Sequence, residues 1–254
     1  MTTTPNNCYA NEMIDIALQS DNLYSIGIAI HAYLDTWSHQ NFIGIRDCYN
    51  KAKSYGILRL IPDFISDFFV TLGHVSVKHN PDKPNKKWKD PRLKTSTINN
   101  NKRFIKAIKN LFDKLSEYSG QFNNTKVNER EKDQLIQDIE KIIYNQDSKE
   151  NRIESYNQLA QKPEYGGEKL IKYNKYLWFN EAICGEYPAD HDIEAFYQDF
   201  NIKHYFNNDY VWDDPKTYQE TNWFKFQEAV KKHQEMMIDI LDKVIDQVKK
   251  IEEW

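Results

Sequence analysis

The stretch Asn101-Lys102-Arg103-Phe104-Ile105-Lys106-Ala107-Ile108-Lys109-Asn110-Leu111-Phe112-Asp113-Lys114-Leu115 decides the fold class. Phe104, Ile105, Ile108, Leu111, Phe112 and Leu115 recur three and four residues apart, the period of an α-helix with one apolar face. Outward from it the same period returns. Leu135, Ile136, Ile139, Ile142 and Ile143 form a stripe within the highly charged run 123–151, which reads as a surface helix. Leu23, Ile26, Ile30 and Leu34 give a helix opening at Asn22, with Ser20 and Asp21 as cap candidates. Gly166-Gly167 breaks the chain before a further helix through Leu170, Tyr173, Leu177 and Ala182. A last helix spans about 221–251, with Phe224, Phe226, Ala229, Val230, Met237, Ile240, Leu241, Val244 and Val248 turned inward.

Composition agrees. The 254 residues include only 8 Gly and 8 Pro, too few for a many-turned sandwich or barrel, against 16 Tyr, 13 Phe and 6 Trp. The expectation is an all-α helical bundle: a disordered lead over 1–9, then one helical domain over 10–254 with a charged surface insertion near 123–151. The stretch 57–72 contains Pro62 and reads as a short turn followed by a helix, and 185–215 as an irregular, aromatic, acidic segment.

Net charge is −4 with both signs interspersed, so no electrostatic footprint for nucleic acid is present. Lys83, Lys86, Lys87 and Lys89 read as a solvated loop. Cys8, Cys48 and Cys184 are odd in number and widely spaced, unlike a disulfide framework or a zinc knuckle. Cys48 reads as a buried, inert thiol. No signal-peptide core and no run of ~20 apolar residues occurs, so the expected location is cytoplasmic, or outside by a route needing no N-terminal signal. The charged helix around 130–145 is a candidate protein-partner surface.

The chemistry concentrates in His31-Ala32-Tyr33-Leu34-Asp35-Thr36-Trp37-Ser38-His39. Residues four apart share a helix face about 6 Å apart along the axis, so His31 and Asp35 can face one cation. His39 lies two turns from His31, roughly 12 Å along a straight helix, too far for one ion with ~2 Å bonds. His39 then serves a second ion, or the helix bends, or His39 acts from behind a ligand. Two ions with Asp35 between them account for the spacing and make Asp35 the candidate catalytic carboxylate. His74, His79 and Asp82 supply further donors, with Gly73 allowing close backbone approach. His191-Asp192 is a weaker pair, and His233 reads as a packed histidine. Gly27 and Ala29 keep one side of the motif helix slim.

The run Ile26-Gly27-Ile28-Ala29-Ile30-His31-Ala32-Tyr33-Leu34-Asp35-Thr36-Trp37-Ser38-His39-Gln40-Asn41-Phe42 resembles the central motif of an uncharacterised bacterial family, the domain of unknown function 6765. Leu72-Gly73-His74, then His79-Asn80-Pro81-Asp82-Lys83-Pro84 and Trp88, resemble it too. Trp178, Glu181-Ala182-Ile183, Gly185, Trp223, Phe226 and Ala229 match in kind. The likeness runs from about Leu23, so the family's longer N-terminal region is expected to be missing. That family is similar in turn to the helical zinc-dependent phospholipases C and single-strand nucleases. The resemblance implies zinc, or another divalent metal, with His31 and Asp35 on one ion and His39, His74 and Asp82 on another. It implies hydrolysis of a phosphodiester, small-molecule or lipid, by metal-activated water. Where that superfamily places a carboxylate four residues after the second-helix histidine, Lys78 stands here. Glu12, Asp15, His233 or a second chain are the remaining sources of ligands. The competing expectation is a non-catalytic helical binding or effector protein with a residual or structural metal.

Overall fold

The computed structural model describes residues 2–45, 47–52, 73–94, 96–123, 128–145, 148–184 and 211–252. The fold is all-α in class. The helices are α1 (Cys8–Gln19), α2 (Leu23–Ser38), α3 (Asn100–Asn123), α4 (Glu129–Tyr144), α5 (Lys149–Ala160), α6 (Leu177–Ala182) and α7 (Asn222–Glu252). Two short antiparallel pairs accompany them. In one, β1 (Lys87–Lys89) faces β2 (Thr97–Asn99) with Trp88 opposite Ile98; in the other, β3 (Ile183–Cys184) faces β4 (Val211–Trp212). Among the described residues, no helix is long and apolar enough to cross a membrane.

The chain divides into two compact units, Met1–Asp21 with Ala29–Leu170, and Asn22–Ile28 with Ile171–Trp254. In the first, Ile105 of α3 packs with Ile136 and Ile143 of α4, and Phe104, Ile108 and Ile139 flank them. The stripe read in the charged run thus faces this core. Asn128 caps α4 by accepting from the Arg130 N–H, Glu129 and Glu131 occupy its first turn and Lys141 its last, matching the helix dipole at both ends. A second cluster of Phe42, Ala52, Val77, Trp88 and Ile98 lies under the segment after α2. The second unit is built on aromatic packing: Phe179, Ala182 and Ile183 against Trp212 and Trp223.

Several expectations are corrected. Helix α1 begins at Cys8, capped by Asn7, and buries Ile14, Ala17 and Leu18. Within the lead expected to be disordered, the Thr3 N–H donates to the Phe42 carbonyl and the Asn41 N–H to the Thr3 carbonyl. Ser20 and Asp21 end α1, and Asn22 caps α2, its side-chain oxygen accepting from the N–H groups of Tyr24 and Ser25. The helix sought through Leu170 and Tyr173 starts only at Leu177; both of those side chains are exposed. On α7, Ile240 is buried but Met237 and Leu241 are exposed, because apolar residues occupy two sides of this helix and the sequence alone does not say which is covered. Cys48 is exposed, not buried. A Cβ on Gly27 would meet nothing within 4 Å, so close packing is not why glycine stands there. His191, Asp192, residues 185–210 and all of 57–72 lie outside the described residues, as do the side chains of Val244 and Val248.

Candidate metal centre

Three segments of the first unit build the site. The first is the C-terminal half of α2, which carries His31 and Asp35 and passes directly into His39, whose N–H still donates to the Asp35 carbonyl. The chain then turns through Asn41 at φ 72°, a left-handed conformation that asparagine tolerates. The paired Thr3 pins that turn.

The second segment carries His74. Gly73 precedes it at φ 49°, and a Cβ there would touch nothing within 4 Å, so this glycine serves backbone conformation rather than close approach. A 3-10 turn, Val75–Val77, follows; the buried Ser76 hydroxyl donates to the Asn50 carbonyl and accepts from the Ala52 N–H. The turn ends at Lys78 at φ 53°, and the Lys78 carbonyl lies 2.9 Å from His74 Nδ1. A carbonyl only accepts, so Nδ1 carries the proton and Nε2 is left as a ligand atom. The position where the resemblance implied a carboxylate ligand instead holds the histidine through its backbone.

The third segment is the loop bearing His79 and Asp82. Its fixing residue is Asn100, fully buried at the start of α3. The Asn100 amide donates to the carbonyls of Asn80, Pro81 and Lys83, while its oxygen accepts from the Trp88 indole N–H. The loop flanking Asp82 is thereby tied to α3 and the β1–β2 hairpin.

These segments bring one donor atom each from His39, His74 and Asp82 within 4.8 Å of one another. His39 Nε2 is 2.9 Å from Asp82 Oδ1, and the rings of His39 and His74 stack with centroids 4.5 Å apart at 11°. Phe42 meets the His74 ring edge-on at 6.2 Å, and Arg92 covers Phe42 at 4.2 Å while paired to the buried Asp90. Asp35 Oδ2 lies 3.7 Å from His39 Nδ1 and 3.5 Å from His31 Nε2. One carboxylate oxygen thus stands between His31 of α2 and His39 just beyond its end. His31 is largely exposed, as is His79, 3.7 Å from Asp82. Asp15 is engaged by Lys114 at 2.7 Å, and His233 lies half-buried on α7, where burial pushes its pKa below the usual value.

Two imidazoles and a carboxylate converging with Nε2 of His74 free are a donor set that could hold a divalent cation, and three ligands leave coordination positions for water or substrate. Beside them lies a cavity of about 530 Å³. Its polar rim is His31, Asp35, Ser38, His39 and Asp82; its other wall is Leu34 and Trp37 of α2 with Phe104, Ala107 and Ile108 of α3.

Residues 1–241 match the model of a family of unknown function, DUF6765. The chain belongs to this family. The DUF6765 match begins at residue 1, ahead of the motif helix from which the likeness was read. No curated protein and no solved structure matches the chain significantly. The donors around α2 were visible as residue types in this DUF6765 chain; Asn100, Ser76 and the Lys78 carbonyl were not. An asparagine whose work is done on distant backbone carbonyls leaves no periodic signal.

Proposed function

We propose that this protein is a metal-dependent hydrolase of phosphodiester bonds, in small molecules or phospholipids. The observation that carries the reading is the convergence of His39, His74 and Asp82 within 4.8 Å, with His39 and Asp82 also lining a cavity large enough for a ligand. The residues that would hold the metal are His39, His74 and Asp82, with His31 and Asp35 as the donors of an adjacent position. Mixed imidazole and carboxylate donors favour zinc among the common divalent ions. Such an ion, when bound, supplies Lewis acidity and lowers the pKa of a bound water toward neutrality.

The chain's own residues do the rest. His74 is held in one tautomer by the Lys78 carbonyl, which leaves Nε2 as the nitrogen able to ligate. With one ion bound, Asp35, which stands between His31 and His39, would orient His39 from behind or take a proton from attacking water; with two, it would instead be a donor to the second. Leu34, Trp37 and Phe104 line the cavity with apolar surface, which would limit water around a bound group.

A second reading, a binding protein with a structural metal, draws support from Lys78, which stands where a further ligand would complete a hydrolytic cluster. The test begins with metal. Full-length protein purified without a His tag is assayed by elemental mass spectrometry beside the double variant His39→Ala, Asp82→Ala. One or two equivalents of zinc, lost in the variant, followed by turnover of bis(4-nitrophenyl) phosphate, support the hydrolase. Bound metal without turnover of that or any phospholipid favours the structural metal. A folded protein that takes up no added zinc overturns both.

A further inference from the structure

The cavity beside the candidate metal centre has two unlike walls, and the apolar one specifies a ligand. Leu34, Phe104, Ala107 and Ile108 offer no side-chain hydrogen-bonding group, and Trp37 offers only an indole N–H that is itself buried. A nucleobase or sugar placed there would lose its water partners without replacement, at a cost a hydrocarbon does not incur. Water filling the same space would face the identical lack of partners. At about 530 Å³ the cavity lies in the range of small-ligand sites. It is continuous with the rim that carries Asp35, His39 and Asp82, so one molecule can reach both walls.

We infer that this cavity takes the hydrocarbon chain of an amphiphile whose phosphoryl end would meet the candidate metal centre where His39 and Asp82 line the cavity. The inference rests on the hydrolase reading for the phosphoryl end only; the chain site follows from the wall. Ala107 is the smallest residue of that wall and is almost wholly buried, so the side chain at this position sets how far a chain extends along α3. Leu34, half-buried on α2, lines the same cavity.

The test is calorimetric titration of the zinc-loaded full-length protein with inorganic phosphate and with butyl, hexyl and octyl phosphate below their micellar concentrations. Affinity is expected to rise by up to about fourfold per methylene, the value for full burial, and then to level off where the cavity ends. In Leu34→Trp the dependence on chain length should collapse, and in Ala107→Leu the plateau should come at a shorter chain. The metal-free protein is titrated in parallel with butanol, hexanol and octanol, which read the cavity alone. Tightening with length in the alcohols, together with no zinc uptake, overturns the hydrolase reading and leaves the chain site standing. Affinity independent of length in both series overturns the chain site, whatever the metal does. A length dependence that neither variant alters places the chain elsewhere and overturns the assignment equally.

Discussion

His39 Nε2 lies 2.9 Å from Asp82 Oδ1, a contact that crosses 43 residues of chain and joins the end of α2 to the loop before β1. Its other ring nitrogen faces Asp35 at 3.7 Å, so one imidazole sits between two carboxylates. For His39 to ligate through Nε2, that nitrogen must give up its proton and Asp82 must turn from acceptor to fellow ligand. His39→Ala and Asp82→Asn are therefore expected to abolish stoichiometric zinc. Asp35→Asn, acting from behind His39, should weaken affinity by roughly 10–100-fold while zinc still binds. Competition with a chromogenic chelator separates the two cases; equal loss in all three would make Asp35 a direct ligand.

The residue that holds Asp82 in place is Asn100, and its removal should be felt twice. Asn100→Ala strands the carbonyls of Asn80, Pro81 and Lys83 and the Trp88 indole N–H in a buried setting. A broken buried network of this kind costs on the order of 3 kcal/mol. Denaturant unfolding should show that loss, and zinc affinity should fall although no ligand has been touched. Stability lost with zinc affinity intact would mean that the loop keeps its shape without Asn100.

How much of this was legible in the sequence depends on the range of the interaction. Helices α3 and α4 were readable because Phe104, Ile105 and Ile108, and Ile136, Ile139 and Ile143, repeat within a few turns and the period is local. Helix α1 was missed because its covered stripe is only Ile14, Ala17 and Leu18, short and interrupted. On α7 the period was plain but its direction was not, since Ile240 and Leu241 are both apolar and only tertiary packing selects Ile240. At the site, His31 and Asp35 could be paired from spacing alone, while for His39 a second ion, a bent helix and a place behind a ligand all stayed open. That His39 would meet Asp82 and stack on His74 depends on the loop geometry set by Asn100 and Ser76, which no spacing encodes.

Two backbone positions should gain stability by exchange. Gly27 lies inside α2, where glycine is unfavourable by roughly 0.5–1 kcal/mol relative to alanine, and an added methyl would meet nothing within 4 Å. Gly27→Ala is expected to raise Tm by a few degrees. Lys78 holds φ 53° with ψ −136°, a sparsely populated region that costs a non-glycine residue on the order of 1–3 kcal/mol, so Lys78→Gly should also stabilise while keeping the carbonyl that His74 needs. Zinc affinity unchanged in Lys78→Gly would show that the lysine side chain has no part in the site; a marked fall would show that it has.

Asp138 on α4 gives a pH dependence of defined sign. The hydrogen bond from Lys141, helped by Lys162, holds its carboxyl at about 2, below the ordinary 3.8. Tyr165 and Gln134 donate to the same carboxylate, so Asp138 ties α4 to the turn after α5. A carboxyl depressed in the folded state contributes stability that is full above the unfolded value and is lost as pH falls through the folded one. The contribution of Asp138 should therefore be nearly constant down to about pH 4, fall steeply from there to about pH 2, and vanish below it. Asp138→Asn removes the charge at every pH. Its Tm deficit relative to the wild type should be largest at neutral pH, begin to shrink below pH 4 and close below pH 2. Because Lys141 and Lys162 are both well exposed, the deficit should also diminish in 1 M salt, where screening shortens the reach of the pair to ~3 Å. A deficit that stays constant from pH 7 to pH 2 would mean that the loss comes from hydrogen-bond geometry rather than from the charge.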